Sequence, residues 1–71
     1  MADQTHPPKM ILRRHKVEAR TGLSRSTIYD RVKAGTFPAP ISLGRKAVGW
    51  LESEIEAWIS SRVQASRKTA P

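Results

Sequence analysis

The sequence predicts a small, mainly α-helical domain that carries one β-hairpin, and three observations lead to this fold class. Residues 22–24 (GLS) give a tight-turn signal between two segments of helical character. Residues 25–34 predict a short helix between the N-cap residue Ser24 and the terminating Gly35. Residues 41–48 place apolar side chains on both sides of a turn that carries two cations. This order is typical of a winged helix-turn-helix, with the hairpin as the wing.

Length and composition restrict the classes of protein to consider. A chain of 71 residues predicts one domain, whose core supplies only about 3–5 kcal/mol of stability. Without cysteine, disulfides and thiolate metal sites are excluded, and two histidines do not build a zinc site alone. No segment approaches the roughly 18 apolar residues of a membrane span, and residues 1–9 lack the apolar core of a signal peptide. We therefore expect a soluble, cytoplasmic protein.

The positive charge is concentrated in one part of the chain. Thirteen Lys and Arg against six Asp and Glu give a net charge of +7, with a pI near 10.9. Residues 9–46 hold ten of the cations and two of the acids, which is a local charge of +8. This segment contains the predicted turn, helix and hairpin, so the charge distribution favours a nucleic acid as the partner. The alternative is a merely solvated basic surface.

The ends of the chain and the first helix carry weaker signals. Residues 1–8 are polar, contain two adjacent prolines and predict a disordered lead-in, whereas residues 9–63 form the predicted domain. Residues 10–12 predict either a short strand or a segment packed on the core. A first helix is predicted over residues 16–21, although no good N-cap precedes it. Residues 64–71 are polar and basic, and predict a flexible tail that frays or follows a phosphate backbone.

The second helix has an inner and an outer face. At about 100° per residue, Ile28 and Val32 fall about 40° apart and point inward. Ser26, Asp30 and Lys33 lie within about 40° of the opposite pole. The helix is therefore short and polar, which suits a surface element with the length for a major groove.

The C-terminal half predicts the hairpin and a third helix. Two prolines at 38 and 40 predict an extended entry into the hairpin, with Phe37 packed beneath it. Gly49 predicts a bulge or a close backbone approach beside Trp50. The third helix, about residues 51–62, carries an apolar stripe that predicts the largest contribution to the core. The residues of the stripe are Leu51, Ile55, Trp58, Ile59 and Val63. Trp58, within the stripe, and Trp50, just before it, are both predicted to lie in the core.

Two motifs carry a family resemblance. Residues 23–29 (LSRSTIY) and residues 43–59 (LGRKAVGWLESEIEAWI) occur in the order and at the separation found in the AlpA-type regulators of prophages and integrative elements. The resemblance covers roughly residues 11–63, and the family is similar in fold to MerR-like winged helices and phage excisionases. It implies binding to double-stranded DNA, either to activate an integrase or excisionase gene or to direct recombination.

The chain departs from the family pattern before its turn. Arg14, His15, Lys16 and Glu18 stand where such proteins usually have Leu, Pro, Glu and an apolar residue. This difference predicts either a first helix that is less well packed or additional cations that contact phosphates. By itself, His15 is expected to be a surface or capping residue.

The expected DNA contacts follow from docking the second helix and the wing on one duplex. Arginine pairs with guanine O6 and N7, and aspartate accepts from cytosine N4, whereas wing cations reach phosphates or a narrow minor groove. The predicted recognition-helix residues are Arg25, Ser26, Thr27, Tyr29, Asp30, Arg31 and Lys33; the predicted wing residues are Arg45 and Lys46; Ser24 caps the helix near a phosphate. Of these, Tyr29 and Lys33 are assigned to the DNA backbone.

Each assignment has a simpler alternative. Arg25 and Arg31 are also typical of a solvated helix, and wing-tip cations also protect a sheet edge from aggregation. Tyr29 suits packing as well as phosphate contact, and Asp30 also balances neighbouring cations. These alternatives remain open at the level of the sequence.

No catalytic or cofactor signal accompanies these motifs. The serines and His15 lack the spaced acid that a triad needs, and glutamates at 52, 54 and 56 are spread around a helix instead of converging on a metal. The glutamates suit the first turns of a helix, where the macrodipole favours acids. We expect a non-enzymatic protein without cofactors or metals.

The predicted function is a sequence-specific regulator that binds double-stranded DNA. The alternative on the same surface is an excisionase that bends attachment-site DNA for an integrase. Integrase or RNA polymerase are the expected protein partners, and self-association on DNA is a further expectation. A third interpretation, from another class, is a basic adaptor for an acidic protein or an anionic membrane, based on the tryptophan-containing amphipathic third helix.

Overall fold

The computed structural model describes residues 9–69, which form three helices and one antiparallel three-stranded sheet. The elements, in chain order, are β1 (Ile11–Leu12), α1 (Arg14–Thr21), α2 (Arg25–Ala34), β2 (Ile41–Gly44), β3 (Ala47–Leu51) and α3 (Glu52–Thr69). This order is compatible with the predicted winged helix-turn-helix. The predicted disordered lead-in, residues 1–8, and the last two residues of the predicted tail lie outside the described residues.

The turn between α1 and α2 is built as the sequence predicts. Gly22 ends α1 in the left-handed conformation, with φ 76°, and its N–H donates to the Glu18 carbonyl over 2.7 Å. Ser24 then caps α2, because its hydroxyl accepts from the Thr27 N–H at 3.2 Å. Gly35, with φ 82°, ends α2. The predicted bounds of α2 are confirmed.

The predicted start of α1 is wrong by two residues. The helix begins at Arg14 because the carbonyl of Arg13 accepts from the N–H groups of Lys16 and Val17, at 3.0 and 3.1 Å. No side-chain cap accompanies this start, which is why the sequence carries no sign of it. Val17 is the buried residue of the helix.

The sheet has β3 in its centre and β1 and β2 on either side. β1 pairs Ile11 with Leu51 and Leu12 with Trp50, so residues 11–12 form a strand and also bury Leu12 in the core. The hairpin partners Ser42 with Val48 and Gly44 with Ala47. The hairpin is therefore part of a three-stranded sheet, which adds a strand to the predicted hairpin.

Gly49 lies at the closest backbone approach in this sheet. A Cβ atom there would lie 2.4 Å from Ile11 Cγ2 and 3.1 Å from the Leu12 carbonyl oxygen. The predicted close approach is therefore present, whereas the irregularity in strand register lies opposite, between Ser42 and Gly44. Only glycine fits this position without moving β1.

The predicted bounds of α3 are corrected at both ends. Leu51 belongs to β3, and α3 begins at Glu52, whose N–H donates to the Met10 carbonyl at 2.8 Å. The helix continues to Thr69, so residues 64–69 are helical where the sequence predicts a flexible tail. The side chains of residues 60–67 are exposed, because the second half of the helix runs past the core.

The buried residues of the core come from β1, α1, α2, the loop after α2, β3 and α3. Of the predicted stripe only Ile55 is buried, while Trp58 and Ile59 are partly buried and Val63 is 41% exposed. Ile55, Trp58 and Ile59 of the stripe form or pack against the core, whereas Val63 lies beyond it, because the second half of α3 runs past the core. The buried residues are Leu12, Val17, Ile28, Phe37, Trp50 and Ile55.

The Gly49→Ala substitution is expected to lower the free energy of unfolding by about 1–3 kcal/mol, because the new methyl group overlaps a stiff β-branched side chain and a backbone carbonyl. Urea denaturation followed by circular dichroism measures the change. Adding Ile11→Ala removes the nearest clashing atom, so the double variant should lose less stability than the two single losses combined. Full additivity would contradict the clash.

The Ser24→Ala substitution is expected to lower the free energy of unfolding by about 0.5–2 kcal/mol, because it removes the side-chain acceptor for the Thr27 N–H. Ser24→Asp is the matched control, since aspartate caps a helix about as well as serine. Thermal unfolding without any ligand should separate the two variants. Equal loss in both would show that the cap contributes nothing to stability.

Candidate nucleic-acid interface

The outer face of α2 is open to solvent along its length. Ser26, Asp30 and Lys33 are exposed, as their position opposite the buried Ile28 predicts. Thr27, at the flank, is half-buried and takes part in the N-cap, because its hydroxyl accepts from Ser24 Oγ at 3.0 Å. The helix therefore presents a row of polar side chains on a rigid, capped element.

One edge of α2 is anchored on the core by aromatic rings. The ring of Tyr29 packs edge-on against buried Trp50, with 6.2 Å between centroids and 60° between planes. The guanidinium carbon of Arg25 lies 6.0 Å from the centre of the Tyr29 ring, at the distance of a cation–π contact. Tyr29 stays 37% exposed. Packing, one of the two roles open to Tyr29, is thus observed, and it supports Arg25 from below.

This edge of α2 faces the hairpin across a concave surface that we call the basic groove. The groove has a volume of about 410 Å³. It is formed by the start of α1, the N-terminal half of α2 and the hairpin, and no carboxylate from residues 9–69 lines it. Its lining residues are Arg13, Arg14, His15, Arg25, Tyr29, Lys46 and Val48. The fold therefore brings a predicted helix residue, Arg25, and a predicted hairpin residue, Lys46, to one surface.

The hairpin tip holds its cations in a two-residue turn. Gly44 and Ala47 pair across the turn, and Arg45 and Lys46 lie between them, both exposed. Lys46 has φ 57°, the one positive value among the non-glycine residues in the described part of the chain. Lys46 lines the basic groove and Arg45 does not. The two predicted hairpin cations are thus neighbours with different surroundings.

Arg31 is separated from Arg25 by the geometry of α2. Six residues along a helix correspond to a rotation of about 120° between side chains, so the two arginines flank the buried face from opposite sides. Arg31 is half-buried, and its Nε atom is buried without a hydrogen-bond partner among residues 9–69. The structure therefore does not bring Arg31 to the basic groove.

Four residues that line the groove were not among the predicted site residues: apolar Val48 and three basic residues at the start of α1. Arg13 is fixed by a hydrogen bond from its Nε to the Val48 carbonyl, 2.9 Å long. Arg14 and His15 follow it in the first turn of α1. His15 is exposed, as expected for a surface residue. The available signal was the run of cations at residues 13–16, but its position beside the hairpin depends on a contact between distant residues.

Ion pairs engage two arginines of the basic segment, Arg20 away from the groove and Arg14 at its edge. Arg20 contacts Glu52 at 2.9 Å and Glu56 at 2.8 Å, which joins α1 to α3. The side-chain hydrogen bond to Glu52, and then that to Glu56, raises the pKa of Arg20 above its ordinary value. Arg14 pairs with Glu18 one turn along α1. In the sequence, Glu52 and Glu56 are four residues apart, which places both carboxylates on one face of a helix.

The tryptophan of α3 packs against the loop that follows α2. Trp58 forms an edge-on contact with Phe37, with 4.8 Å between centroids, and its indole N–H donates to the Thr36 carbonyl at 2.9 Å. It is half-buried, so the core assignment holds in part. Trp50 is fully buried, as predicted.

Residues 9–69 contain no candidate for a metal cluster or a membrane span. Within this range no group of three or more histidine, aspartate or glutamate side chains is arranged to hold a metal ion. Within the same range, no helix is both long enough and apolar enough to cross a membrane.

Comparison with known proteins supports the resemblance carried by the two motifs. Residues 10–63 match the family described as Prophage CP4-57 regulatory protein (AlpA). The chain is 55% identical over 47 residues to the uncharacterized protein ORF88 of Enterobacteria phage P4, which covers 66% of this chain and 52% of that protein. It is 45% identical over 58 residues to the DNA-binding transcriptional activator AlpA of Escherichia coli (strain K12), covering 73% of this chain and 83% of that protein.

The matches cover different shares of the two relatives and most of the elements of this fold. The chain spans about half the length of the phage P4 protein and most of the E. coli protein. The family match includes α1, α2, the sheet and the first two thirds of α3. The chain belongs to the AlpA family of prophage regulatory proteins.

Proposed function

We propose that this chain binds double-stranded DNA in a sequence-specific manner and regulates transcription of a prophage or an integrative element. The observation that carries the proposal is the basic groove, in which Arg25 of α2 and Lys46 of the hairpin line one surface. A single duplex can therefore contact both elements. Membership of the AlpA family and the activator named among its relatives support the same function.

In this proposal the domain acts as a winged helix-turn-helix. α1, the turn at residues 22–24 and α2 form the helix-turn-helix, and the β2–β3 hairpin is the wing. α2 has 10 residues, which is about 15 Å of helix, and it is exposed on the face away from the core. These dimensions suit a B-DNA major groove about 12 Å wide.

The outer face and the N-terminal turn of α2 supply the proposed base contacts. Ser26 and Asp30 point away from the core, and Asp30 is suited to accept from cytosine N4. Arg25, in the first turn, is suited to guanine O6 and N7, since recognition helices contact bases with their N-terminal residues. Thr27 and Arg31 lie on the far flank and contribute at the edge of this contact.

Contacts to the DNA backbone supply most of the affinity in this proposal. Cations that neutralise phosphates release condensed counterions, which makes binding steeply dependent on salt. Arg45 and Lys46 would approach the backbone or a narrow minor groove from the wing. The capped N-terminus of α2 at Ser24, with Tyr29 and Lys33, would hold the backbone beside the major groove.

The arrangement of Trp58 argues against the adaptor interpretation. That interpretation requires tryptophan on α3 to anchor the chain to a membrane or an acidic protein. The indole N–H of Trp58 is bonded to the Thr36 carbonyl and its ring packs on Phe37, so its polar and apolar surfaces are both engaged within the domain.

Selection of binding sites from random duplex DNA is expected to return a defined sequence, because α2 offers different side chains to successive base pairs. In a gel-shift competition, the selected duplex should outcompete random duplex by about 10³-fold or more. The measurement should be made at several salt concentrations. Equal competition by selected and random duplexes at all of them would reject sequence-specific binding.

Arg45→Ala and Asp30→Ala are expected to have different effects on DNA binding. Loss of the wing cation should weaken all duplexes to a similar degree and lower the salt slope by about one. Loss of the aspartate should relax discrimination at one base pair, by about 1–3 kcal/mol. Arg62→Ala on exposed α3 is the control for loss of charge alone. A change of sequence preference in Arg45→Ala would contradict the backbone role of the wing.

A further inference from the structure

We propose that the basic groove holds one backbone phosphate of the duplex, and that Arg13 at the start of α1 and Lys46 of the hairpin bind it together. This inference rests on the proposed function and identifies which part of the DNA the groove receives. It adds the start of α1 as a third element of the interface, beside α2 and the wing.

The charges around the groove select an anion. Arg13, Arg14, Arg25 and Lys46 line it together with His15, Tyr29 and Val48, and within the described residues no carboxylate lines it. Glu18 pairs with Arg14 and offsets that charge. The remaining three cations come from three different elements and converge on one concavity, where a shared anion relieves their mutual repulsion.

Arg13 is held in place before any ligand arrives. Its Nε donates to the Val48 carbonyl at 2.9 Å, which fixes the plane of the guanidinium against β3. The two terminal nitrogens donate to no residue within the described range 9–69. A guanidinium fixed at one nitrogen and open at two others matches two oxygens of a phosphate, and little rotational freedom is lost when it binds.

Lys46 approaches the same concavity from the hairpin. The backbone at Lys46 is constrained by the two-residue turn between paired Gly44 and Ala47, with φ 57° at the lysine. Its ammonium is a compact charge with three donors on a flexible stem, so it can adapt to an oxygen that Arg13 leaves unbound. The two cations together neutralise a single phosphodiester.

The position of the groove favours a phosphate that belongs to a duplex. Arg25 lines the groove, and the next residue, Ser26, is on the exposed face of α2 that is proposed to meet bases. A phosphate in the groove would therefore lie beside the bases that α2 contacts. The volume of about 410 Å³ leaves room for the sugars on either side.

The salt dependence of duplex binding tests this assignment. Arg13→Gln and Lys46→Asn each remove one charge, and asparagine tolerates the positive φ of the turn. Each variant is expected to lower the salt slope by about 0.9, the value for one phosphate, because the phosphate is held in the groove only when both cations are present. The double variant is expected to show the same reduction as either single variant, because both residues serve one phosphate.

Matched controls separate this effect from general loss of charge or of folding. Arg62→Gln removes the same charge from an exposed position on α3 and is expected to keep the wild-type slope. Thermal unfolding of every variant verifies that the fold is intact. Wild-type slopes in both groove variants would overturn the assignment, and so would a loss in the double variant equal to the two single losses combined.

A second probe does not depend on duplex binding. In an NMR titration with inorganic phosphate at constant ionic strength, the amide signals of Arg13, Arg14 and Lys46 are expected to shift and saturate, and Arg13→Gln should abolish this response. Saturation in a wild-type chain that binds no duplex would reject the proposed function and keep the groove as a phosphate site. Duplex binding with wild-type salt slopes in the variants would keep the proposed function and reject the phosphate site. A chain that neither binds duplex nor responds to inorganic phosphate would overturn both proposals.

Discussion

The buried indole of Trp50 lies where three parts of the molecule meet, and the relative positions of α2 and the hairpin depend on it. Trp50 is on the central strand and pairs with Leu12 of β1. Its indole N–H donates to the Pro38 carbonyl at 2.8 Å, which satisfies the polar group and holds the loop after α2. Its ring also supports Tyr29. A single side chain thus links β1, the loop after α2 and the Tyr29 edge of α2.

Two sets of cations in the domain have different surroundings. Arg20 is bound to two glutamates of α3, where it joins the first and last helices. Arg13, Arg25 and Lys46 share a surface that no carboxylate of the described part of the chain lines. Gathering like charges on a concave surface costs folding free energy, and an anion in the groove recovers it on binding. The same positive segment of the sequence therefore serves both packing and the proposed DNA contact.

Local sequence signals predicted the elements that depend on near neighbours in the chain. The cap at Ser24, the left-handed glycines at 22 and 35 and the inward position of Ile28 involve groups within a few residues of one another. The hairpin and the close approach at Gly49 were also predictable, because turn residues and a glycine beside a large aromatic residue mark them. Of the proposed site, Arg25, Asp30, Arg45 and Lys46 were identified at this level by their place on the helix and at the turn.

The sequence by itself determined a basic, three-helix domain with a capped polar helix and a cationic hairpin, since caps, turns and helical periodicity act over a few residues. Tertiary structure alone decided which cations share a surface. The bond from Arg13 to Val48 joins residues 35 apart, and that from Arg20 to Glu56 joins residues 36 apart. It also started α3 at Glu52, where a backbone bond to Met10 joins distant parts of the chain without any side-chain signal. Contacts of this kind depend on how the elements pack, and no local pattern records the packing.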